Sequence, residues 1–480
     1  MTDHNNMYHL FVKLLINDMS GDIFMPEFRK VLREKEKIPN FPSLTLKNLL
    51  PAMLRKLYPY LLLSLFVCTA CGTSGKIRVK KHFDSDFFRT QFTGFALYDP
   101  EEEALLYSYQ SDKYFTPASN TKIFTLYTGL HVLGDSIPAL HYASERDTLY
   151  IEGTGNPVFL HPYFKDRNAL GFLKNQELPI AWYPDNFTEE RSGPGWAWDD
   201  YAYYYAAERS ALPMYGNVLT ITGNREKTEC SPGYFRDVVN HDSKAPYPRD
   251  LRHNTFYIPE YIKTGDTLEI PFIQTTELTT RLLSDTLGKK VFHTTRKLPL
   301  NKKTLYSHTP VDSLFRRMML ESDNFLAEQI LLMAAGTLSD SLNTRKIIDH
   351  TLQRFLPDIP QKPRWVDGSG LSRYNLFTPE SMVYVLNRMY HEYPQERLFQ
   401  LFPAGGVSGT LKHYYKGDGD VPYIFAKSGS LSNNYNLSGY IRTKSGKILI
   451  FSYMNNHYMH ETTAVKQHMD TLLRYIREHY

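Results

Sequence analysis

Thr116-Pro117-Ala118-Ser119-Asn120-Thr121-Lys122 is the stretch on which the fold and chemistry of the chain turn. Ser119 and Lys122 are three residues apart, so a helix beginning here brings both onto one face. Ile123, Phe124, Leu126, Tyr127 and Leu130 follow with helical periodicity, which predicts a buried helix. A serine at the mouth of such a helix is open to substrate and held by the core. A lysine one turn on can take its proton if burial and a neighbouring positive charge keep the amine neutral. The pair is a candidate nucleophile with its own base.

The 480 residues can bury a large core and suggest two or three domains. Charged residues are 22% and apolar ones 42%, ordinary for a soluble globular protein. A formal net charge of +4 is too small to argue for nucleic acid, and none is expected as a partner. The 35 tyrosines suit carbohydrate or peptide surfaces, and equally a β-rich protein. With three cysteines, Cys68, Cys71 and Cys230, there is no disulfide framework.

Arg55-Lys56 precede an apolar run from Leu61 to Val67 and small residues before Cys71. The run is short for a bilayer span. It resembles a bacterial lipoprotein signal at 53–71 with Cys71 as the acylated residue, although Cys68 stands where a leucine is usual. Residues 1–52 resemble no export signal, and the expected start is Met53, with 1–52 a spurious extension. A buried apolar element at 57–70 is the alternative. Acylation leaves Cys230 a lone thiol; without it, a Cys71–Cys230 disulfide is conceivable.

Beyond a short basic linker (Lys76 to Lys81), Phe92–Tyr98 reads as a strand, Asp99–Glu103 as a turn and Ala104–Tyr109 as the returning strand, leading into the Ser119 helix. That order suggests an α+β or α/β core. From about 143 to 290 the character changes. Strands are expected at 149–155, 217–222 and 267–270, among loops dense in Pro, Gly and Tyr such as Gly193-Pro194-Gly195-Trp196. This region reads as a β-rich insertion. Helical periodicity returns at Leu278, Leu282 and Leu283, and Val465, Met469, Leu472, Leu473 and Ile476 form one stripe of a C-terminal helix expected to pack on the sheet.

Two more elements carry chemistry. Glu321-Ser322-Asp323-Asn324 lies between two helical patterns. It offers a hydroxyl for proton relay and an amide for a substrate carbonyl, or equally a helix N-cap at Ser322 or Asp323. Ala426-Lys427-Ser428-Gly429-Ser430 follows a strand-like run and opens an antiparallel meander through 437–441 and 448–453. A lysine and a hydroxyl on an edge strand can bind a carboxylate, and Gly429 lets a peptide backbone approach closely. An exposed strand lysine before a turn accounts for the same residues.

Taken in order, Ser-x-x-Lys, Ser-x-Asn and Lys-Ser-Gly resemble the motif set of penicillin-binding proteins and serine β-lactamases. Ser322–Glu328 (Ser-Asp-Asn-Phe-Leu-Ala-Glu), Asp367–Arg373 (Asp-Gly-Ser-Gly-Leu-Ser-Arg), Ser408–Lys412 (Ser-Gly-Thr-Leu-Lys), Gly155-Asn156-Pro157 and Gly193–Trp196 narrow the resemblance. They resemble the D-alanyl-D-alanine carboxypeptidase/endopeptidase family of class C penicillin-binding proteins (the penicillin-binding protein 4 type, peptidase family S13), over about 85 to 480. The resemblance implies a three-layer transpeptidase-like fold built from 80–142 and 290–480, with 143–290 inserted.

It also implies roles. Ser119 attacks a D-Ala-D-X peptide, Lys122 is the base, and Lys427 depresses its pKa. Ser322 relays the proton to the leaving amine and Asn324 holds the peptide side chain. Lys427 and Ser428 bind the terminal carboxylate beside Gly429, and the N–H groups of Ser119 and Ser430 form the oxyanion hole. No metal or cofactor is implied. The implied partners are peptidoglycan stem peptides, with β-lactams as inhibitors, and the implied setting is the periplasm, with the membrane reached only through a lipid anchor. A serine β-lactamase or esterase of the same fold, and a non-catalytic peptidoglycan-binding lipoprotein, are the alternatives. Asp199-Asp200 reads as a solvated loop pair, and Tyr201–Tyr205 as loop packing or the wall of a glycan groove.

Overall fold

The computed structural model describes residues 78–223, 228–259, 262, 263, 265–419 and 421–480. The proposed extension, the signal, Met53, Cys68 and Cys71 lie outside the described residues. Residues 78–83 are helical rather than a linker. Val79 and Phe83, one turn apart, are 0% and 3% exposed, and that burial outweighs the basic residues between them.

The central sheet has five strands: β1 (Phe92–Asp99), β2 (Ala104–Tyr109), β3 (Ile424–Leu431), β4 (Asn434–Arg442) and β5 (Ile448–Asn456). Their spatial order is β3-β4-β5-β1-β2, and every pairing is antiparallel. The period of two sorts the side chains onto two faces. Phe95, Leu97, Ile424, Ala426, Leu437 and Phe451 face the C-terminal helix Thr462–His479, whose stripe of Val465, Met469, Leu472, Leu473 and Ile476 is buried against them. Ala96, Phe425, Tyr440, Ile450 and Met454 face the opposite layer of helices. Those helices are α1 (Lys122–Val132), α2 (Val311–Leu320), α3 (Asn324–Leu338) and α4 (Pro379–Glu392). The result is three layers, helix on sheet on helices. In α3 every residue from Phe325 to Ala335 is buried, as expected of a helix apolar all round at the centre of a layer.

A second core forms around a mixed five-stranded sheet. Its order is Val291–His293, Ile180–Tyr183, Thr148–Gly153, Ser136–Glu145, Lys303–Pro310. Beside it, Thr267–Pro271, Val218–Gly223 and Thr228–Ser231 make a three-stranded sheet, with Cys230 half-buried opposite Ile221. Leu140, Ile151, Ile180, Leu219, Phe256 and Leu282 lie in this core and not in the other. The larger sheet begins at Ser136, before the boundary read from composition, and its last strand ends at Pro310, after it. Among the described residues no helix is long and apolar enough to cross a membrane.

Candidate active site

Ser119 sits in a 3-10 turn, Ala118–Thr121, that runs directly into α1. Its neighbours Ala118, Asn120, Thr121 and Lys122 are buried, while Ser119 itself is half-exposed. The turn is gripped from three sides. The Asn120 amide donates to Ser438 Oγ at 2.8 Å, and Thr121 Oγ1 donates to the Ala118 carbonyl at 2.9 Å. Two glycines press against it: a Cβ on Gly429 would stand 2.4 Å from the Pro117 carbonyl oxygen, and one on Gly370 would stand 1.9 Å from that of Ala118. Ala118 takes φ 49°, a conformation that needs such a grip in a residue with a Cβ.

Lys122 is wholly buried. Its ammonium donates to Ser119 Oγ at 3.0 Å, Asn324 Oδ1 at 2.6 Å and the Ser369 carbonyl at 2.7 Å. Burial pushes its pKa down to about 8, against the opposing pull of Asp367, Glu328 and Asp323. Lys427, also wholly buried, donates to Ser322 Oγ at 2.9 Å and to the Ser428 carbonyl at 2.7 Å. Burial holds it well below the usual lysine range, and the nearby Lys122 charge lowers it further. The structure thus brings Ser119, Lys122, Ser322, Asn324 and Lys427 together as two hydroxyl–amine pairs, with the first lysine close enough to disfavour a charge on the second, whereas the drop at Lys122 comes from its burial.

The Ser322 loop resolves one ambiguity of the sequence. Asp323, not Ser322, caps α3: its carboxylate accepts from Leu326 N at 3.0 Å and pairs with Arg317 Nε at 3.2 Å. Ser322, at φ 57°, is left for Lys427. Asn324 differs from the expectation that it holds a substrate side chain. Its oxygen accepts from Lys122, and its amide nitrogen donates to the Tyr205 carbonyl at 2.9 Å, so both ends are engaged within the protein.

On β3 the side of the strand decides what Ser428 and Ser430 can do. Ala426 N donates to the Pro403 carbonyl and Gly405 N donates to that of Ile424, so the even-numbered backbone groups point away from β4. Alternation carries the N–H groups of Ser428 and Ser430 to the same free edge. There Ser430 is exposed, and Ser428 Oγ lies 2.8 Å from Thr410 Oγ1. Gly429 is the residue whose lack of a Cβ brings this edge against Ser119 N.

The Asp367–Arg373 stretch, which reads as a turn by its chemistry and which the family resemblance places at the border of the site, lies beneath Lys122. Asp367, 0% exposed, accepts from Gly370 N at 2.9 Å, Ser372 N at 2.7 Å, Asn375 Nδ2 at 2.7 Å and Trp196 Nε1 at 3.0 Å. It fixes the 367–372 turn, whose Ser369 carbonyl meets Lys122. The chain around 193–210 reaches in repeatedly. Ser372 Oγ donates to the Pro194 carbonyl at 2.6 Å, and the buried Gln329 amide donates to the carbonyls of Gly155 at 2.7 Å and Ser210 at 2.9 Å. Asp200 accepts from Tyr205 Oη at 2.8 Å, and Tyr201 lies under the Arg249 guanidinium. Replacing Trp196 by phenylalanine removes one donor from a buried carboxylate and should cost about 1–2 kcal/mol, read as a fall in Tm, with a smaller fall in the acylation rate.

The comparisons with known proteins show the family and the fold. The model of the D-Ala-D-Ala carboxypeptidase 3 (S13) family matches residues 76–239 and 273–477. The D-alanyl-D-alanine carboxypeptidase DacB of Haemophilus influenzae is 23% identical over 450 residues, covering 81% of this chain and 90% of that protein. The D-alanyl-D-alanine carboxypeptidase of Actinomadura sp. is 25% identical over 421 residues, covering 76% and 77%. The crystal structure of penicillin binding protein 4 from Haemophilus influenzae superposes with a TM-score of 0.65 at 20% identity, covering 81% of this chain and 97% of that one, which shows a shared fold. With the model matching well over half its length, and with a serine, two buried lysines and their partners gathered at one sheet edge, this chain belongs to the D-Ala-D-Ala carboxypeptidase 3 (S13) family.

Proposed function

We propose that the protein is a penicillin-binding, serine-type D-Ala-D-Ala carboxypeptidase/endopeptidase acting on peptidoglycan stem peptides. The observation that carries this reading is the wholly buried Lys122 amine, 3.0 Å from the half-exposed Ser119 hydroxyl. In this reading neutral Lys122 takes the Ser119 proton as Oγ forms a bond to the substrate carbonyl carbon. The oxygen becomes an oxyanion held by the N–H groups of Ser119 and Ser430. As the C–N bond breaks and the C=O re-forms, the proton taken up by Lys122 is relayed through Ser322 to the leaving amine, which leaves Lys122 neutral again. Lys427 and Ser428 hold the terminal carboxylate. Water then attacks the ester and returns Ser119. Penicillins acylate the same oxygen and are released slowly.

Slow release is supported by the two carboxylates nearest Lys122. Glu328 and Asp367 are wholly buried and bonded to the 369–372 backbone, away from a position to activate water on the ester. This favours a peptidase over a β-lactamase, for which sustained nitrocefin turnover would be the sign. Residues 80–135 and 311–480 form the peptidase core in this reading, and the intervening lobe shapes access to it. The site of action is outside the cytoplasm, with the protein tethered through acylated Cys71.

The test is release of D-alanine from a pentapeptide ending in D-Ala-D-Ala. The expected result is release that rises as pH passes about 8, where Lys122 loses its proton, seen in kcat/KM because that ratio reports the free enzyme. Binding of cell-wall fragments with no D-alanine released would instead mark a non-catalytic protein.

A further inference from the structure

Glu328 is the one carboxyl group under the site whose structural bonds leave it half-committed. It lies four residues after Asn324 on α3, hence on the same face, and is 0% exposed. Its Oε1 accepts from Ser369 N at 2.8 Å, and the carbonyl of that same residue accepts from Lys122 at 2.7 Å. Its Oε2 has no hydrogen-bond partner among the described residues and faces Arg209 Nη1 at 3.7 Å. Arg209 is itself drawn away: it donates to Glu189 at 3.1 Å, to Thr344 Oγ1 at 3.1 Å and to the carbonyls of Glu190 and Ser192. A buried carboxylate with one orphan oxygen and a shared cation is costly to keep for packing alone.

We propose that Glu328 is a positioning residue for the base, orienting the Ser369 peptide on which Lys122 rests and setting, through its own charge, how readily the Lys122 amine becomes neutral. This rests on Lys122 being the base for Ser119. The groups facing Lys122 are Asp367, Glu328 and Asp323, which favour its charge, and Lys427, which opposes it. Those facing Glu328 are Asp367, Arg209 and Lys122 itself. Burial first, and the Asp367 charge second, push the Glu328 carboxyl up to about 7, close to the Lys122 value, so the two groups titrate one after the other within the working pH range. Where Glu328 carries its charge, Lys122 is held protonated to higher pH. A neutral isostere should release it earlier.

Glu328→Gln keeps an acceptor for Ser369 N and removes the charge. The rate of acylation by a fluorescent penicillin, followed from pH 5 to 10, should keep its acid limb but move it toward acid by up to about one pH unit, the scale of one charge at an effective dielectric near 20. Acylation between pH 7 and 8, where Glu328 carries its charge, should then be faster than in the unaltered protein, and at pH 6, where Glu328 is already neutral, little changed. A limb that stays in place in a folded Glu328→Gln protein overturns the proposal, and so does loss of rate at every pH without a shift, which marks a merely structural role. Should this variant not fold, the unaltered protein decides. The Lys122 ε-carbon resonance, assigned by its loss in Lys122→Arg, should titrate in two steps as Glu328 and then Lys122 ionise, and a single step overturns the proposal. Failure of the reading beneath it looks different: the unaltered protein would show no acid limb or no adduct at Ser119.

Discussion

Replacing Ser119 by alanine abolishes covalent labelling by a fluorescent penicillin and D-alanine release together, while the protein stays folded. The hydroxyl accepts one bond, from Lys122, and the side chain is half-exposed, so its loss leaves no cavity and no stranded group that water cannot reach. Stability should change by less than about 1 kcal/mol. Activity should fall about 10⁶-fold, the scale seen when the nucleophile of a serine hydrolase is removed, because base, oxyanion donors and carboxylate site act only through that oxygen. Mass spectrometry of the unaltered protein should find one adduct, on the tryptic peptide 114–122. An adduct on the peptide carrying Ser322, the other hydroxyl held by a buried amine, would reverse the assignment of the two pairs.

Much of this was legible in the chain because it is written locally. Ser119 and Lys122 share a face whatever else the protein does. The turn at Asp99–Glu103 sets the β1–β2 hairpin, and the 465–476 stripe admits one buried side. The meander after Lys427 is likewise carried by alternation over three consecutive strands. What local pattern does not carry is any feature made by two distant segments. Asn324 reads as a free amide until the Tyr205 carbonyl, more than a hundred residues away in the chain, takes its nitrogen. Ser322 and Asp323 are equivalent N-cap candidates until Lys427 claims one and Leu326 N the other. Residues 78–83 look like a charged linker because Val79 and Phe83 declare a helix only when a sheet is there to bury them. The support under Lys122 is the extreme case. By its residue chemistry alone the Asp367–Ser372 segment is a turn; the resemblance places it beside the site, and its contacts with Trp196, Glu328 and Lys122 give it its supporting part.

The same logic makes Gly370→Ala the substitution that should do most damage at a residue with no chemistry of its own. Gly370 has φ +83°, which costs an alanine about 1–2 kcal/mol before any contact is considered. Its Cβ would then lie 1.9 Å from the Ala118 carbonyl oxygen and 2.8 Å from Thr121 Oγ1. Neither can yield cheaply. Ala118 is 1% exposed and already at positive φ, and Gly429 closes the far side of the same turn. The Ser119 turn must therefore move or the 367–372 turn must open, and either separates Lys122 from one of its three partners, Ser119 Oγ in the first case or the Ser369 carbonyl in the second. The expected cost is about 3–5 kcal/mol in urea unfolding, with penicillin acylation falling at least about a hundredfold, since a displacement near 1 Å at reacting atoms is worth that much. Gly446→Ala separates strain from displacement. Gly446 has φ +92° but nothing within 4 Å of its Cβ position, so its replacement should lose the strain energy alone and leave acylation unchanged. Equal loss of acylation in both variants would mean that the rate follows global stability, and that the contact between Gly370 and Ala118 does not hold the nucleophile in place.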